Sequence, residues 1–281
     1  MFGIANTFER LLNKVSVKKS LRILFLFIFI LPVILISIVF IVFLYNTMLD
    51  SETQRVKAYM KQTEESFENS LKEVQAFSNR IYLNKTLQNI LSTSYTDIQH
   101  IYNDYASLNF LENYLLTYDQ IANYRIYTEN TTLLDNSFIV KADYKTQCSE
   151  WYVTGQNLKG RPYWRWRHDE ISKKDFVCLI RSLWTQAGDY LGVLVVNLDP
   201  NVINEKLHES LFNTAIFVDH KIFYSAFNGF SVENVQELSK IEMKEEFSSN
   251  SIKRIKLNGQ RFGIISEDLY DPDDSALKFT F

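Results

Sequence analysis

An unbroken run of apolar side chains, ILFLFIFILPVILISIVFIVFLY, fills the 23 positions from Ile23 to Tyr45 without one charge. At ~1.5 Å of rise per residue a helix of this length spans ~34 Å, enough to cross a hydrocarbon core of ~30 Å. Pro32 within it is tolerable, because transmembrane helices satisfy the freed carbonyl locally. Upstream stand Arg10, Lys14, Lys18, Lys19 and Arg22 against Glu9; downstream come Asp50, Glu52, Arg55 and Lys57. The positive-inside rule then puts the N-terminus in the cytoplasm and the remainder of the chain outside the cell. The run exceeds the apolar stretch of a cleaved secretory signal, and NTMLDSE after it offers no small-x-small cleavage site. The expected organisation is a basic cytoplasmic arm over 1–22, a transmembrane helix over 23–45 and an extracellular domain.

The net charge of −3 hides an asymmetry, since the arm carries +4 and leaves −7 for the rest. An acidic external region argues against nucleic acid as a partner. Hydrophobic residues make up 46% of the chain, ample for a folded core, so disorder is not expected. Cys148 and Cys178 both fall outside, where a disulfide can persist. One bridge between them and two small buried side chains remain equal readings. Neither cysteine lies in a C-x-x-C pair and the histidines are scattered, so no metal or other cofactor is expected.

No glycine or proline occurs between Pro32 and Gly155. Within that span Val56, Met60, Thr63, Phe67, Leu71, Val74, Phe77 and Ile81 recur at helical steps, predicting one long helix to about Leu83. Ile98, Ile101, Tyr102, Tyr105, Leu108, Leu111 and Leu115 predict a second. From Ala122 the pattern turns to strands: ANYRIYT, NSFIVKA, then DFVCLIRSLW and YLGVLVVNLD as a hairpin closed through Gly188. Asp199-Pro200 caps a helix NVINEKLHES. A smaller unit follows, with strands AIFVD and KIFYS, a polar helix from Val232 to Glu246, a hairpin through Asn258-Gly259 and a last alternating stretch at Leu277, Phe279 and Phe281. The external region is therefore expected to be α+β in two units, 46–200 and 201–281.

VSVKKSLRILFLFIFILPVILISIVF, NYRIYTENTTLLDNSFIV, the SEWY box and DFVCLIRSLW…GDYLGVLVVNLDPNVINEKL…AIFVDHKIFYS together resemble the sensor half of YesM-type two-component sensor histidine kinases. The resemblance spans nearly the whole chain. It implies a double Cache domain, with two PAS-like antiparallel sheets, the larger distal from the membrane, and a long signalling helix leading from the membrane span. It departs at the turn between AIFVD and KIFYS, which lacks the usual glycine. The second membrane helix, HAMP segment and kinase region of that family are also missing: no second long apolar run and no glycine-rich nucleotide box follow Tyr45. No enzymatic activity is expected of this chain, which lacks a G-x-S-x-G elbow and any recognisable partner for its histidines.

Three of the four tryptophans gather at Trp151-Tyr152 and in RPYWRWRHD, Arg161 to Asp169. Aromatic faces beside a few charges suit a small polar ligand such as a sugar or amino acid, stacked on its apolar side and fixed through its polar groups. By resemblance this region lines the distal Cache pocket, which makes Trp151, Tyr152, Trp164, Trp166 and Arg181 the candidate ligand-binding residues, ahead of Arg165, His168 and Asp169. Arg181 interrupts an apolar strand and alternates in phase with Val177, Leu179 and Leu183, favouring a pocket position. The expected partners are a small-molecule ligand or a solute-binding protein, the membrane and a second copy of the chain. The function expected is ligand sensing for a transmembrane receptor, whose output is a histidine kinase, an AraC-like regulator or a chemoreceptor region. A membrane-tethered binding protein without output is the alternative.

Overall fold

The computed structural model describes residues 21–22, 24–199 and the strand segments 214–218, 221–226, 253–257, 260–264, 268–269 and 279–280; of the side chains in those later strands it describes only that of Ile216. The expected helices NVINEKLHES and Val232 to Glu246, the Asn258-Gly259 turn and most of the basic arm lie outside the described residues. Contacts divide the chain into two units, Met1–Ala58 and Tyr59–Phe281.

In the first unit a π-helical segment, Leu26–Ile30, runs into helix α1, Leu31–Tyr82. The π geometry stands just ahead of Pro32, whose ring removes a backbone donor. From Leu24 to Leu49 every large apolar side chain is 40% exposed or more, and none is buried. The best window there has a mean hydropathy of 3.3. A helix apolar on all sides and packed on none has the length and composition to cross a membrane.

In the second unit α1 buries Met60, Thr63, Phe67, Leu71, Val74, Phe77 and Ile81, which is the expected stripe without Val56. The second expected helix is in fact two, α3 (Ile98–Ala106) and α4 (Phe110–Thr117), preceded by an unforeseen α2 (Lys85–Ser92). The break falls where Ser107 Oγ donates to the Asp104 carbonyl at 2.6 Å, a side-chain bond that competes with helix continuation. Asn84 caps α2 by accepting from Leu87 N at 2.8 Å, and Asp97 caps α3 through Gln99 N at 3.1 Å.

Five strands follow: β1 (Ile121–Thr128), β2 (Ile139–Lys141), β3 (Tyr163–Asp169), β4 (Lys174–Trp184) and β5 (Tyr190–Leu198). Between β2 and β3 lie short helices α5 (Tyr144–Gln147) and α6 (Glu150–Asn157). The sheet order is β2-β1-β5-β4-β3. The sheet is mixed rather than wholly antiparallel, because β2 pairs parallel to β1. Asn136 Oδ1 shortens β2 by taking the N–H groups of Phe138 and Ile139 at 2.8 and 2.6 Å. The hairpin β4–β5 turns through Gly188 at φ 94°, as its sequence predicts. Farther along, β6 (Thr214–Val218) and β7 (Lys221–Ala226) pair antiparallel and join β10 (Asp268–Leu269) and β11 (Phe279–Thr280) in a second sheet, while β8 (Lys253–Leu257) and β9 (Gln260–Ile264) form a hairpin.

Alternation splits the five-stranded sheet into two differently used faces. One face carries Tyr124, Ile126, Trp164, Val177, Leu179, Leu183, Leu194 and Val196 into a core with α1, α2 and α4, joined by Ile216 of β6. The other carries Tyr127, Tyr163, Cys178, Ile180, Val193 and Val195 against α6. Gly155 lets α6 rest on β4, since a Cβ there would stand 3.1 Å from Ile180 Cγ2. Both cysteines are free, Cys148 exposed and Cys178 buried, so the bridge left open by the sequence is not formed. Desolvation pushes the Cys178 thiol up to about 12. In the folded protein alkylation is expected to modify Cys148 alone, with Cys178 reacting only in denaturant; rapid native labelling of both would contradict this burial.

At Gly192 the backbone has φ 140° and a Cβ would lie 2.2 Å from the Tyr127 carbonyl oxygen. Gly192→Ala must push β5 from β1, with an expected loss of roughly 3 kcal/mol or more in denaturant unfolding. An unchanged midpoint would contradict this register.

Candidate functional site

The α6 face of the sheet holds most of the buried charge. Tyr163, Arg165, Arg167 and Asp169 alternate with Trp164, Trp166 and His168 along β3, which places the arginines and Asp169 toward α6 and the tryptophans toward α1. Arg125 of β1 joins them: its Nη1 donates to both Asp169 oxygens, at 2.9 and 2.8 Å. Strands β5 and β4 lie between these two residues, and the register sets Arg125 opposite Tyr163 rather than Asp169, so a flat sheet would hold the pair about 24 Å apart. The sheet therefore curls toward α6, and the ion pair bridges its concave side.

Asp169 is fully buried. Burial works against its charge, but hydrogen bonds from Ser172 and Arg125 and the Arg125 charge outweigh that and hold its carboxyl below the usual range. Arg167 enters the same space with a side chain only 9% exposed. Its guanidinium lies 4.4 Å from the Trp151 ring centroid and 5.6 Å from that of Tyr127, and its Nη2 donates to the Tyr127 hydroxyl at 3.2 Å. Toward Asp169 it reaches only an ion-pair distance of 3.5 Å, and its Nε and Nη1 make no hydrogen bond. Arg165, nearer the rim, is held by Glu150 of α6 at 2.6 Å.

The residues singled out from sequence separate accordingly. Trp151 and Tyr152 sit on the α6 side, where the Tyr163 hydroxyl donates to the Trp151 carbonyl at 2.5 Å and the Tyr152 hydroxyl to Glu129 at 3.1 Å. Burial raises the Tyr152 phenol well above its ordinary pKa. Trp164 and Trp166 lie in or against the core shared with α1, Trp164 at 1% exposure. Arg181 reaches the end of α1, where its Nη1 donates to Ser78 Oγ and Asn79 Oδ1 and its guanidinium stands 4.1 Å from the Tyr82 ring centroid. His168 pairs with Asp175 at 2.7 Å on the surface. Arg125, Tyr127 and Arg167 were not among the sequence candidates. The period-two phase of YWRWRHD is the signal that could have found Arg167, and the lone arginine in ANYRIYT the one for Arg125.

No family model and no curated protein matches the sequence. Solved structures do. The ligand-binding domain of the Campylobacter jejuni chemoreceptor Tlp3 in complex with L-norvaline matches with a TM-score of 0.58 at 16% identity, covering 83% of this chain and 90% of that one. The sensor domain of the V. cholerae histidine kinase DctB matches with a TM-score of 0.53 at 15% identity, covering 82% and 96%. The ligand-binding domain of the Pseudomonas aeruginosa amino acid chemoreceptor PctC in complex with GABA matches with a TM-score of 0.51 at 12% identity, covering 78% and 93%. The chain shares the fold of these domains. No group of three metal-ligating side chains occurs among the described residues.

Because the Asp169 carboxyl is depressed in the folded state, its stabilising contribution is full above the unfolded value of about 3.9 and is lost as pH falls through the folded value. Asp169→Asn strands two arginines on the concave side. It should cost about 3 kcal/mol at neutral pH and flatten the acid limb of a Tm–pH profile. A parallel profile displaced by nothing would show that Asp169 is not held this way.

Proposed function

We propose that the protein is the ligand-sensing region of a transmembrane signal-transduction receptor, anchored by the apolar half of α1 and binding a small molecule on the concave, α6-covered face of its first sheet. The observation that carries this reading is the division of labour between the two faces. The α1 face is closed by apolar packing and by Arg181, whereas the α6 face keeps buried charges between aromatic rings, the composition of a small-molecule site. The sensory fold supports it, as do the amino acids bound by the matched chemoreceptor domains. A YesM-type double Cache assignment fits the same arrangement, with 46–200 as the distal unit and 201–281, bearing β6 to β11, as the proximal one.

On this reading Trp151 and Tyr152 line the site, joined by Tyr127 and Arg167. Trp164, Trp166 and Arg181 hold the sheet to α1 instead. A ligand that reshapes the concave face would shift the sheet under Arg181 and so bias the packing of α1, the helix that also carries the apolar run. A kinase, an AraC-like regulator and a chemoreceptor region are all outputs compatible with such a sensor.

The test is thermal unfolding of the full chain in nanodiscs, with sugars and amino acids as probes. A ligand that raises Tm in the parent should do so far less in Trp151→Ala, while Arg181→Ala lowers the baseline Tm but keeps the shift. Loss of the shift in Arg181→Ala with retention in Trp151→Ala would move the site to the α1 face.

A further inference from the structure

Helix α6 covers the concave face, and the turn that ends it touches α1 directly. Strand β3 begins at Tyr163 opposite Ile180, which leaves β4 with an open edge from Arg181 to Trp184. The turn after α6 fills this gap. The Gly160 N–H donates to the buried Ser182 Oγ at 2.8 Å, and the Trp184 indole N–H donates to the same oxygen at 3.0 Å. Lys159 at φ 48° and Gly160 at φ 90° end the helix with two successive left-handed residues. Lys159 N donates to the Gln156 carbonyl at 3.2 Å and Arg161 N to that of Leu158 at 3.1 Å, so helix and turn are bonded into one piece.

The same turn lies against Tyr82, the last residue of α1. A Cβ at Gly160 would stand 3.2 Å from the Tyr82 hydroxyl oxygen and 3.3 Å from its Cε2, so the close approach and the positive φ both call for glycine. The Arg181 guanidinium of β4 stands 4.1 Å from the centroid of that ring. Tyr82 is therefore wedged between β4 and the tail of α6, and closely packed groups pass on a displacement rather than absorb it. We propose that the Lys159-Gly160 turn is a mechanical link between the cover of the site and α1: movement of α6 reaches Tyr82 around the open edge of β4, without passing through the sheet. A ligand drawn to Trp151 and Tyr152 then acts on α1 by two routes, the sheet under Arg181 and this turn. As the regulation of that site the inference rests on the small-molecule reading above, but the link itself belongs to the protein without ligand.

The test is hydrogen exchange of the full chain in nanodiscs with no ligand present. Gly155→Ala disturbs α6 on the face of the sheet away from α1, because the added methyl meets Ile180, Tyr163 and Val193. It should speed exchange in α6 and also, by about tenfold, at the amides from Ser78 to Tyr82, while those from Met60 to Phe67 keep their rates. In Tyr82→Ala the same methyl should still loosen α6 but alter the end of α1 by no more than about twofold. Tyr82→Phe, which keeps the ring against Gly160, should respond as the parent does. Should Gly155→Ala fail to fold, Trp151→Ala supplies the disturbance, since that ring faces Arg167 and Tyr127. A response confined to α6 would overturn the proposal, and so would one equally large in Tyr82→Ala, which would route the disturbance through the sheet. Either result leaves the small-molecule reading standing, and a ligand site found elsewhere would leave the link standing.

Discussion

Phe77 of α1, fully buried, packs edge-on against Tyr114, Tyr118 and Tyr124 with ring centroids 5.7, 5.4 and 4.9 Å away. This seam between the outer part of α1 and the first sheet is the constraint on which the rest depends. An isolated helix is marginal in water, so α1 beyond the apolar run owes its stability to the buried stripe from Met60 to Ile81. The sheet in turn commits one face to that stripe. Among the described residues, the buried ion pairs of Arg125 and Arg167 with Asp169 lie on the opposite face, which is covered by α6. Arg181 meets the seam at its far end, where it donates to Ser78 and Asn79 of α1 and stands over the Tyr82 ring.

Much of this was legible in the sequence because it follows from periodicity. The apolar run, the α1 stripe, the β4–β5 hairpin and the β8–β9 hairpin all appear where composition and turn residues place them. What was missed is local and polar. Ser107 and Asn136 divert backbone groups through their own side chains, dividing one predicted helix and trimming one predicted strand. The helix α6 escaped notice because eight residues with a central glycine and two adjacent aromatics carry no clear helical phase. The parallel pairing of β2 is a tertiary outcome that no turn signal in the long β1–β2 connection announces.

The side chains singled out from the sequence lie on neighbouring strands and α6 but not on one face of the sheet. Tryptophans draw attention because they are large, but Trp164 and Trp166 alternate with Arg165 and Arg167, and one strand cannot send all four to the same face. Arg181 shares its phase with Val177, Leu179 and Leu183, which placed it on an apolar face; whether that face held a ligand or a helix depended on α1. The Arg125–Asp169 pair joins residues 44 positions apart across two intervening strands, a contact that only the curl of the sheet creates.

The central claim is that ligand chemistry belongs to the α6 face and structural packing to the α1 face. Hydrogen exchange of the full chain, with and without a stabilising ligand, measures this most directly. The account predicts that protection appears first in peptides covering α6, β3 and the middle of β1, with α2, α3 and α4 unchanged. Protection confined instead to the polar hollow formed by Thr93, Tyr95, His100 and Asp104 would contradict it.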